Sequence, residues 1–127
     1  MTKKRSIMLV DDDARFLEQF EEMLNMSGYE AEKYETGNAV LEAVEKYKPD
    51  LIFLDLKMEG KSGFEVAEIL HNDPSTAAIP VIVMSAYISD CHLEKLTEEC
   101  GVRRCLSKPL KPLDVISEIE TVFLENR

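Results

Sequence analysis

Five polar residues that could carry phosphoryl or metal chemistry lie close to short apolar, strand-like runs of the sequence. These residues are Asp11, Asp12, Asp55, Ser85 and Lys108. The aspartates and the serine follow the apolar runs at residues 7–10, 51–54 and 81–84. In a sheet of parallel strands, residues that follow their strands gather at the carboxyl edge, where ligands bind in open α/β folds. The sequence therefore predicts one site built from four separate strand ends.

Asp11, Asp12 and Asp55 would form an acidic cluster if the first and third strands were neighbours, as in a doubly wound sheet of order 2-1-3-4-5. Two carboxylates about 5 Å apart repel by roughly 3 kcal/mol at an effective dielectric constant near 20. Such a cluster takes up protons or recruits a cation. Because the ligands are all hard oxygens, they suit Mg²⁺, with Mn²⁺ also possible, better than zinc.

Each candidate also has a structural interpretation when it is taken alone. An aspartate pair such as Asp11 and Asp12 most often caps a helix N-terminus. A lone serine at a strand end is usually a turn residue, and a lone lysine is usually solvated. The joint pattern favours chemistry: Asp55 as a nucleophile that accepts a phosphoryl group, Lys108 as the neutralising cation and Ser85 as a hydrogen-bond donor. The Lys108-Pro109 bond could adopt cis and aim the lysine at the site.

Segments with helical periodicity alternate with the apolar runs, which is the βαβα pattern of a parallel sheet covered on both faces. We therefore predict a doubly wound, flavodoxin-like α/β fold with five helices and strands over residues 7–10, 29–34, 51–54, 81–84 and 102–106. The second strand is less apolar, so we expect it near an edge. Helices are predicted over residues 62–71 and 89–99, with Phe64, Ala67, Leu70, Leu93 and Leu96 facing inward.

The length indicates a single domain over residues 1–127, which we expect in the cytoplasm. The formal net charge of -10 would repel phosphate backbones, which argues against direct nucleic-acid binding. No apolar run approaches the ~18 to 20 residues that a membrane span requires. The apolar stretch near the start ends at Val10 without a cleavage site, so we expect neither secretion nor membrane insertion.

The three cysteines are Cys91, Cys100 and Cys105. They have neither Cys-x-x-Cys spacing nor a histidine at metal-finger spacing. We therefore predict three free thiols in a reducing compartment.

The chain resembles a response-regulator receiver domain, the phosphoacceptor module of two-component signalling, over essentially its whole length. The resemblance is to chemotaxis-regulator-like receivers. It implies that Asp11 and Asp12 bind the metal, that Asp55 is the phosphoacceptor, that Ser85 follows the phosphoryl group, and that Lys108 precedes a cis proline. It further implies the backbone carbonyl of Lys57 as a metal ligand and Gly63 as the glycine that ends the acceptor loop.

The sequence departs from the usual receiver pattern at two positions that modulate the site. Glu59 stands where receivers usually have proline, which adds a negative charge and removes a φ restraint from the acceptor loop. Cys105 stands where they usually have an aromatic switch residue, and we interpret it as a small buried hydrophobe. Tyr87 occupies a position that modulates hydrolysis, together with Lys57, and its bulk predicts a long-lived phosphorylated state.

The expected function is Mg²⁺-dependent phosphoryl uptake by Asp55 from a histidine kinase or phosphotransfer protein. A population shift would then change contacts with a downstream protein target or a fused effector. The domain would catalyse its own phosphorylation and dephosphorylation, so "enzyme" applies only loosely. The alternative is a receiver-like interaction module without a phosphorylation cycle, suggested by Glu59 and Cys105. A flavin-binding domain would need a Ser/Thr/Gly-rich phosphate loop after the first strand, and a phosphatase with an aspartate nucleophile would need an Asp-x-Asp there. Asp11-Asp12-Asp13 is followed by Ala14-Arg15-Phe16 with no glycine, and we give both interpretations little weight.

Overall fold

The computed structural model describes residues 3–125, which form a parallel sheet between two layers of helices. Its five strands have the order β2-β1-β3-β4-β5, and every neighbouring pair is parallel. The strands are Ser6–Val10 (β1), Glu30–Tyr34 (β2), Leu51–Asp55 (β3), Val81–Ser85 (β4) and Val102–Ser107 (β5). The predicted fold class and strand order are confirmed, and β2 lies at an edge as expected.

Within residues 3–125, four α-helices and one short 3₁₀ turn connect these strands, and a fifth α-helix follows β5. The helices are Ala14–Met26 (α1), Gly37–Tyr47 (α2), Gly63–Asn72 (α3), Leu93–Cys100 (α4) and Pro112–Glu125 (α5). Three of them begin at polar side chains that accept backbone N–H groups, which are Asp13 before α1, Thr36 before α2 and Ser62 before α3. These caps fix where each helix starts relative to the strand end that precedes it.

Two apolar cores hold the helices on the sheet. On one face, α2, α3 and α4 pack against alternate residues of the strands, and on the other face α1 and α5 do so. The inner strands β3 and β4 are buried at every position, because helices cover both of their faces. Their continuous apolar runs reflect this double burial. No helix within residues 3–125 is long and apolar enough to cross a bilayer.

The region between β4 and β5 differs from the predicted single helix over residues 89–99. A 3₁₀ turn, Ile88–Asp90, comes first, and α4 begins only at Leu93. Leu93 is 40% exposed, so its predicted inward orientation is wrong, whereas Leu96 is buried as predicted. The late helix start places Leu93 in the first turn and leaves the i, i+4 pair Leu96 and Cys100 on the inner face.

The inner face of α3 also differs from the prediction. Phe64 is exposed, and the buried residues are Gly63, Val66, Ala67 and Leu70. Ala67 and Leu70 lie on this face as predicted, but Val66 rather than Phe64 completes it. The physical reason is that the helix turns its close-packed first residue, Gly63, toward the strand, which rotates the next residue outward.

The prediction of three free cysteines is wrong for two of them. Cys91 and Cys105 form a disulfide with a Cα–Cα distance of 5.7 Å, and Cys100 is a buried free thiol. The interpretation of Cys105 as a small buried hydrophobe is corrected as well, because its sulfur is bonded and its side chain is only partly buried. Neighbouring strands β4 and β5 bring the loop after β4 close to Cys105, a proximity that the spacing of the cysteines does not reveal.

Gly63 lies so close to the end of β3 that a side chain there would meet the backbone. An added Cβ would lie 2.1 Å from the Asp55 carbonyl oxygen and 2.7 Å from the Leu56 Cα. Because backbone atoms cannot move aside cheaply, we expect Gly63→Ala to lower the free energy of unfolding by about 2 to 4 kcal/mol. Urea denaturation measures this loss directly.

Gly60→Ala is the matched control for this prediction. Gly60 has a φ of +77°, but no heavy atom lies within 4 Å of an added Cβ. Its substitution should therefore cost only the backbone term of about 1 kcal/mol. A loss for Gly63→Ala no larger than that for Gly60→Ala would contradict the steric explanation.

Candidate functional site

The strand order brings the predicted site residues to one edge of the sheet. Asp11 follows β1, Asp55 is the last residue of β3, Ser85 is the last residue of β4 and Lys108 follows β5. Because β1, β3, β4 and β5 are consecutive neighbours, these four strand ends lie side by side. The structure therefore places the residues together as the sequence predicts.

Three aspartates form the acidic centre of this edge. Oxygen atoms of Asp11, Asp12 and Asp55 all lie within 4.8 Å of one another. Asp11 and Asp55 are buried, at 1% and 7% exposure, whereas Asp12 is exposed. The cluster thus has a closed inner side and an open outer side, which suits a cation that keeps some of its water ligands.

Backbone groups hold two of these carboxylates in place. Asp11 Oδ1 accepts the Asp13 N–H at 3.0 Å, and Asp12 Oδ2 accepts the Glu59 N–H at 3.2 Å. The second bond ties the loop after β1 to the loop after β3. Glu59 therefore contributes its backbone N–H to the arrangement of the acidic cluster, while its side chain is exposed.

Lys108 supplies the positive charge inside the site. Its Nζ lies 2.5 Å from Asp11 Oδ2 and 3.8 Å from Asp55 Oδ2. The same ammonium lies 4.2 Å from the centre of the Phe16 ring. The Lys108–Pro109 bond is cis, as predicted, and the Lys108 N–H donates to the Ser85 carbonyl oxygen at 2.8 Å. The lysine thus lies between the two buried carboxylates.

The acidic cluster is short of positive charge. The pKa of Asp55 is raised to about 6, mainly by burial and next by the neighbouring charge of Asp11, although Lys108 and the Lys57 N–H act in the opposite direction. One ammonium therefore does not fully compensate the carboxylates. Three oxygen donors with excess negative charge fit a hard divalent cation, so the residues present can hold Mg²⁺ or Mn²⁺.

Ser85 is buried at the next strand end and is engaged in a local network. Its Oγ accepts the Tyr87 N–H at 3.1 Å and lies 3.0 Å from both the Tyr87 carbonyl oxygen and Asp90 Oδ2. A hydroxyl has one proton to donate, so these two acceptors compete for it. Asp90 also lies 3.4 Å from the Lys57 Nζ.

Asp90 is the residue of the site that sequence reasoning missed. It lies in the segment predicted as a helical start, where an aspartate is typical of a cap. Its actual role as an acceptor for Ser85 depends on the 3₁₀ turn Ile88–Asp90, which folds back toward the end of β4. The sequence spacing carried no signal for that turn.

The predicted modulating residues lie at the rim rather than inside the cluster. The Lys57 Nζ lies 4.7 Å from the centre of the Tyr87 ring, and that ring is 59% exposed. The Lys57 backbone N–H lowers the pKa of Asp55. The role of the Lys57 carbonyl oxygen as a metal ligand remains a prediction. Cys105 is joined by its disulfide to Cys91, which follows Asp90.

Comparison with known proteins identifies the family. The family model of the response regulator receiver domain matches residues 7–120. The chain is 33% identical over 120 residues to the phosphate regulon transcriptional regulatory protein PhoB of Pseudomonas aeruginosa, covering 94% of this chain and 52% of that protein. It is 31% identical over 121 residues to the polar-differentiation response regulator DivK of Brucella ovis, covering 95% and 96%.

Solved structures agree with the sequence comparison. A CheY-like response regulator receiver domain protein from Methanospirillum hungatei superposes with a TM-score of 0.87 at 25% identity, covering 98% of this chain and 97% of that one. The chain spans about half the length of the transcriptional regulators that it matches, such as the PhoB protein, and nearly all of DivK. Fold, site geometry and family match agree, and the chain belongs to the response regulator receiver domain family.

Proposed function

We propose that this receiver takes up a phosphoryl group on Asp55 from a histidine kinase or phosphotransfer protein in a Mg²⁺-dependent reaction. The observation that carries the proposal is the grouping of three aspartate carboxylates beside a single lysine at the carboxyl edge of the sheet. Asp55 is the nucleophile, Asp11 and Asp12 hold the metal with the Lys57 carbonyl, and the site operates in the cytoplasm.

The transfer forms one bond and breaks one bond. A carboxylate oxygen of Asp55 attacks phosphorus, and the bond between phosphorus and the donor's histidine nitrogen breaks, with the electron pair returning to that nitrogen. Mg²⁺ would offset the negative charge of the phosphoryl oxygens during this step. Lys108, whose Nζ already lies 3.8 Å from Asp55 Oδ2, pairs with one of those oxygens.

Ser85 connects the chemistry to the rest of the domain. Its hydroxyl donates to a phosphoryl oxygen once the group has arrived, and it then no longer donates to Asp90 or to the Tyr87 carbonyl. This exchange shifts the population of the loop after β4 and of the face formed by α4, β5 and α5. A downstream protein, or an effector fused to the receiver, reads the altered face.

The alternative without a phosphorylation cycle gains no support from the two departures that suggested it. Glu59 in place of proline still positions its N–H against Asp12, so the acceptor loop is held by a hydrogen bond. Cys105 forms a disulfide with Cys91, and the acidic cluster and Lys108 are still grouped at the strand ends. We therefore retain phosphoryl uptake as the function.

The first prediction concerns phosphorylation itself. Incubation with acetyl phosphate and Mg²⁺ should add one phosphoryl mass to the intact protein, and Asp55→Asn should abolish the gain because an amide is a poor nucleophile. Mass spectrometry with and without a chelator measures both effects. Asp13→Asn is the matched control, since Asp13 caps α1 outside the cluster and asparagine caps equally well. Uptake that persists in Asp55→Asn would contradict the proposal.

The second prediction concerns the lifetime of the aspartyl phosphate. The exposed Tyr87 ring lies beside Lys57, two residues beyond Ser85, and in the proposed function its bulk hinders an attacking water. Tyr87→Ala should therefore speed dephosphorylation by about fivefold, which corresponds to about 1 kcal/mol in the barrier. Decay of the phosphorylated mass gives the rate. Tyr47→Ala, which removes a similarly exposed ring at the end of α2, should leave it unchanged. A longer lifetime in Tyr87→Ala would refute the shielding role.

The third prediction follows from the raised pKa of Asp55, about 6 in the fold against 3.8 for a free carboxyl. The folded state favours protonated Asp55 more than the unfolded state does. The stability that comes from protonated Asp55 is therefore fully present below 3.8, the pKa of Asp55 in the unfolded chain, and is lost as the pH rises through about 6. Without metal, Asp55→Asn should then be more stable than the wild type at pH 7 by about 1 to 2 kcal/mol. The difference in unfolding free energy between Asp55→Asn and the wild type should be smaller at pH 4.5.

Urea denaturation in chelator, at the two pH values, tests this sign, with Asp13→Asn as the control that leaves the buried cluster intact. Added Mg²⁺ should stabilise the wild type and narrow the difference, because a bound ligand stabilises the folded state. An Asp55→Asn variant that is less stable than the wild type at pH 7 without metal would show that the ionised carboxylate is well compensated.

A further inference from the structure

The Cys91–Cys105 disulfide joins two parts of the receiver that the phosphoryl mechanism treats separately. Cys91 lies in the segment at residues 86–92 between β4 and α4, and Cys105 lies in the middle of β5. Their Cα atoms are 5.7 Å apart, within the usual range for a disulfide. The third cysteine, Cys100, is buried on α4 and free.

The location of the bond favours a reversible role. Receivers act beside cytoplasmic kinases, and disulfides in the reducing cytosol are usually transient or redox-sensing rather than structural. Both cysteines are only partly buried, so small thiols can reach them. The ladder between β4 and β5 already holds Cys105, which pairs with Val83. The mechanical effect of the bond therefore falls on the segment at residues 86–92.

That segment carries the groups that compete for the Ser85 hydroxyl. Asp90 precedes Cys91 directly, and its Oδ2 lies 3.0 Å from Ser85 Oγ and 3.4 Å from the Lys57 Nζ. Ala86, Tyr87 and Ser89 are exposed, and α4 starts without a side-chain cap at His92. A covalent tether at Cys91 thus limits how far Asp90 can withdraw from Ser85.

We propose that Cys91 and Cys105 form a redox-controlled clamp that holds the segment at residues 86–92 against β5 and so regulates the phosphoryl response. In the oxidised state the clamp keeps Asp90 close to Ser85. The Ser85 hydroxyl then continues to donate its hydrogen bond to Asp90 rather than to a phosphoryl oxygen. In the reduced state Asp90 can move away, and the phosphorylated arrangement is easier to reach. The effect of the clamp on phosphorylation rests on the proposed function, whereas the formation of the clamp does not.

The redox step balances with a small-molecule disulfide such as oxidised glutathione as the oxidant. The thiolate of one cysteine attacks a sulfur of the oxidant, forming a mixed disulfide and releasing one small thiolate. The thiolate of the other cysteine then attacks the protein sulfur of the mixed disulfide and releases the second. Two protein thiols are oxidised, one small disulfide is reduced to two thiols, and the two protons of the cysteines pass to the departing thiolates.

The first experiment tests the clamp without any phosphoryl chemistry. The wild type is equilibrated in glutathione buffers from reducing to oxidising, the thiols are alkylated, and peptide mass spectrometry reports the state of each cysteine. The Cys91–Cys105 pair should convert as a unit while Cys100 stays alkylatable after unfolding. Amide hydrogen exchange of residues 86–92 should be about tenfold faster in the reduced protein, because local opening becomes easier.

The second experiment links the clamp to phosphorylation. At subsaturating acetyl phosphate, the reduced wild type should reach a phosphorylated to unphosphorylated ratio about fivefold higher than the oxidised wild type, a modest coupling between two sites. Cys91→Ser should match the reduced wild type in every buffer. Cys100→Ala, which removes a thiol outside the clamp, should keep the redox dependence.

The outcomes separate the clamp from the proposed function. Failure of the pair to form in oxidising buffer, or equal hydrogen exchange in both states, overturns the clamp. Redox-dependent exchange with equal phosphorylation in both states overturns its regulatory role. If neither state accepts a phosphoryl group, the proposed function fails and the regulatory role with it, while the alkylation and exchange data still decide the clamp.

Discussion

An imbalance of charge at the carboxyl edge of the sheet is the constraint on which the rest of this structure depends. Carboxylate oxygens of three aspartates lie within 4.8 Å of one another, two of the aspartates are buried, and Lys108 lies between the buried pair. Burying a carboxylate without full compensation is costly, and the raised pKa of Asp55 is the direct sign of that cost. A site with this deficit would gain from a divalent cation, and under the proposed function it accepts a phosphoryl group with that cation bound.

The strand order of the sheet brings these charged residues together. Four neighbouring strands end at the same edge, so residues far apart in the sequence meet there without any long loop. The surrounding contacts then fix the details: Glu59 binds Asp12 through its backbone, and Gly63 allows α3 to start against the carbonyl of Asp55. Stability and reactivity are therefore opposed at Asp55, because the environment that prepares the carboxylate for chemistry also penalises its charge.

The parts of this arrangement that follow from strand order could be predicted from the sequence, and the parts that follow from loop paths could not. Asp11, Asp55, Ser85 and Lys108 adjoin apolar runs, and a parallel sheet leaves little choice about where such residues lie. Asp90 and the Cys91–Cys105 pair depend on how the segment after β4 folds back, which involves a 3₁₀ turn that local patterning did not indicate. The exposure of Leu93 has the same origin, since it follows from the late start of α4.

The segment after β4 therefore links three properties of the domain. It presents Asp90 to the Ser85 hydroxyl, it joins β5 through a disulfide, and it leads into α4 on the face expected to contact partners. In the two proposals, phosphorylation of Asp55 and reduction of the disulfide both change the position of the same segment at residues 86–92.

The central claim is that Asp55, rather than one of its acidic neighbours, forms the covalent bond to phosphorus. Borohydride reduces an acyl phosphate to an alcohol, so treatment of the phosphorylated protein marks the acceptor aspartate permanently as homoserine, and peptide sequencing by mass spectrometry locates it. The account predicts homoserine at position 55 and intact aspartate at Asp11 and Asp12. Homoserine at position 11 or 12, or none at any aspartate of a protein that has gained the phosphoryl mass, would contradict it.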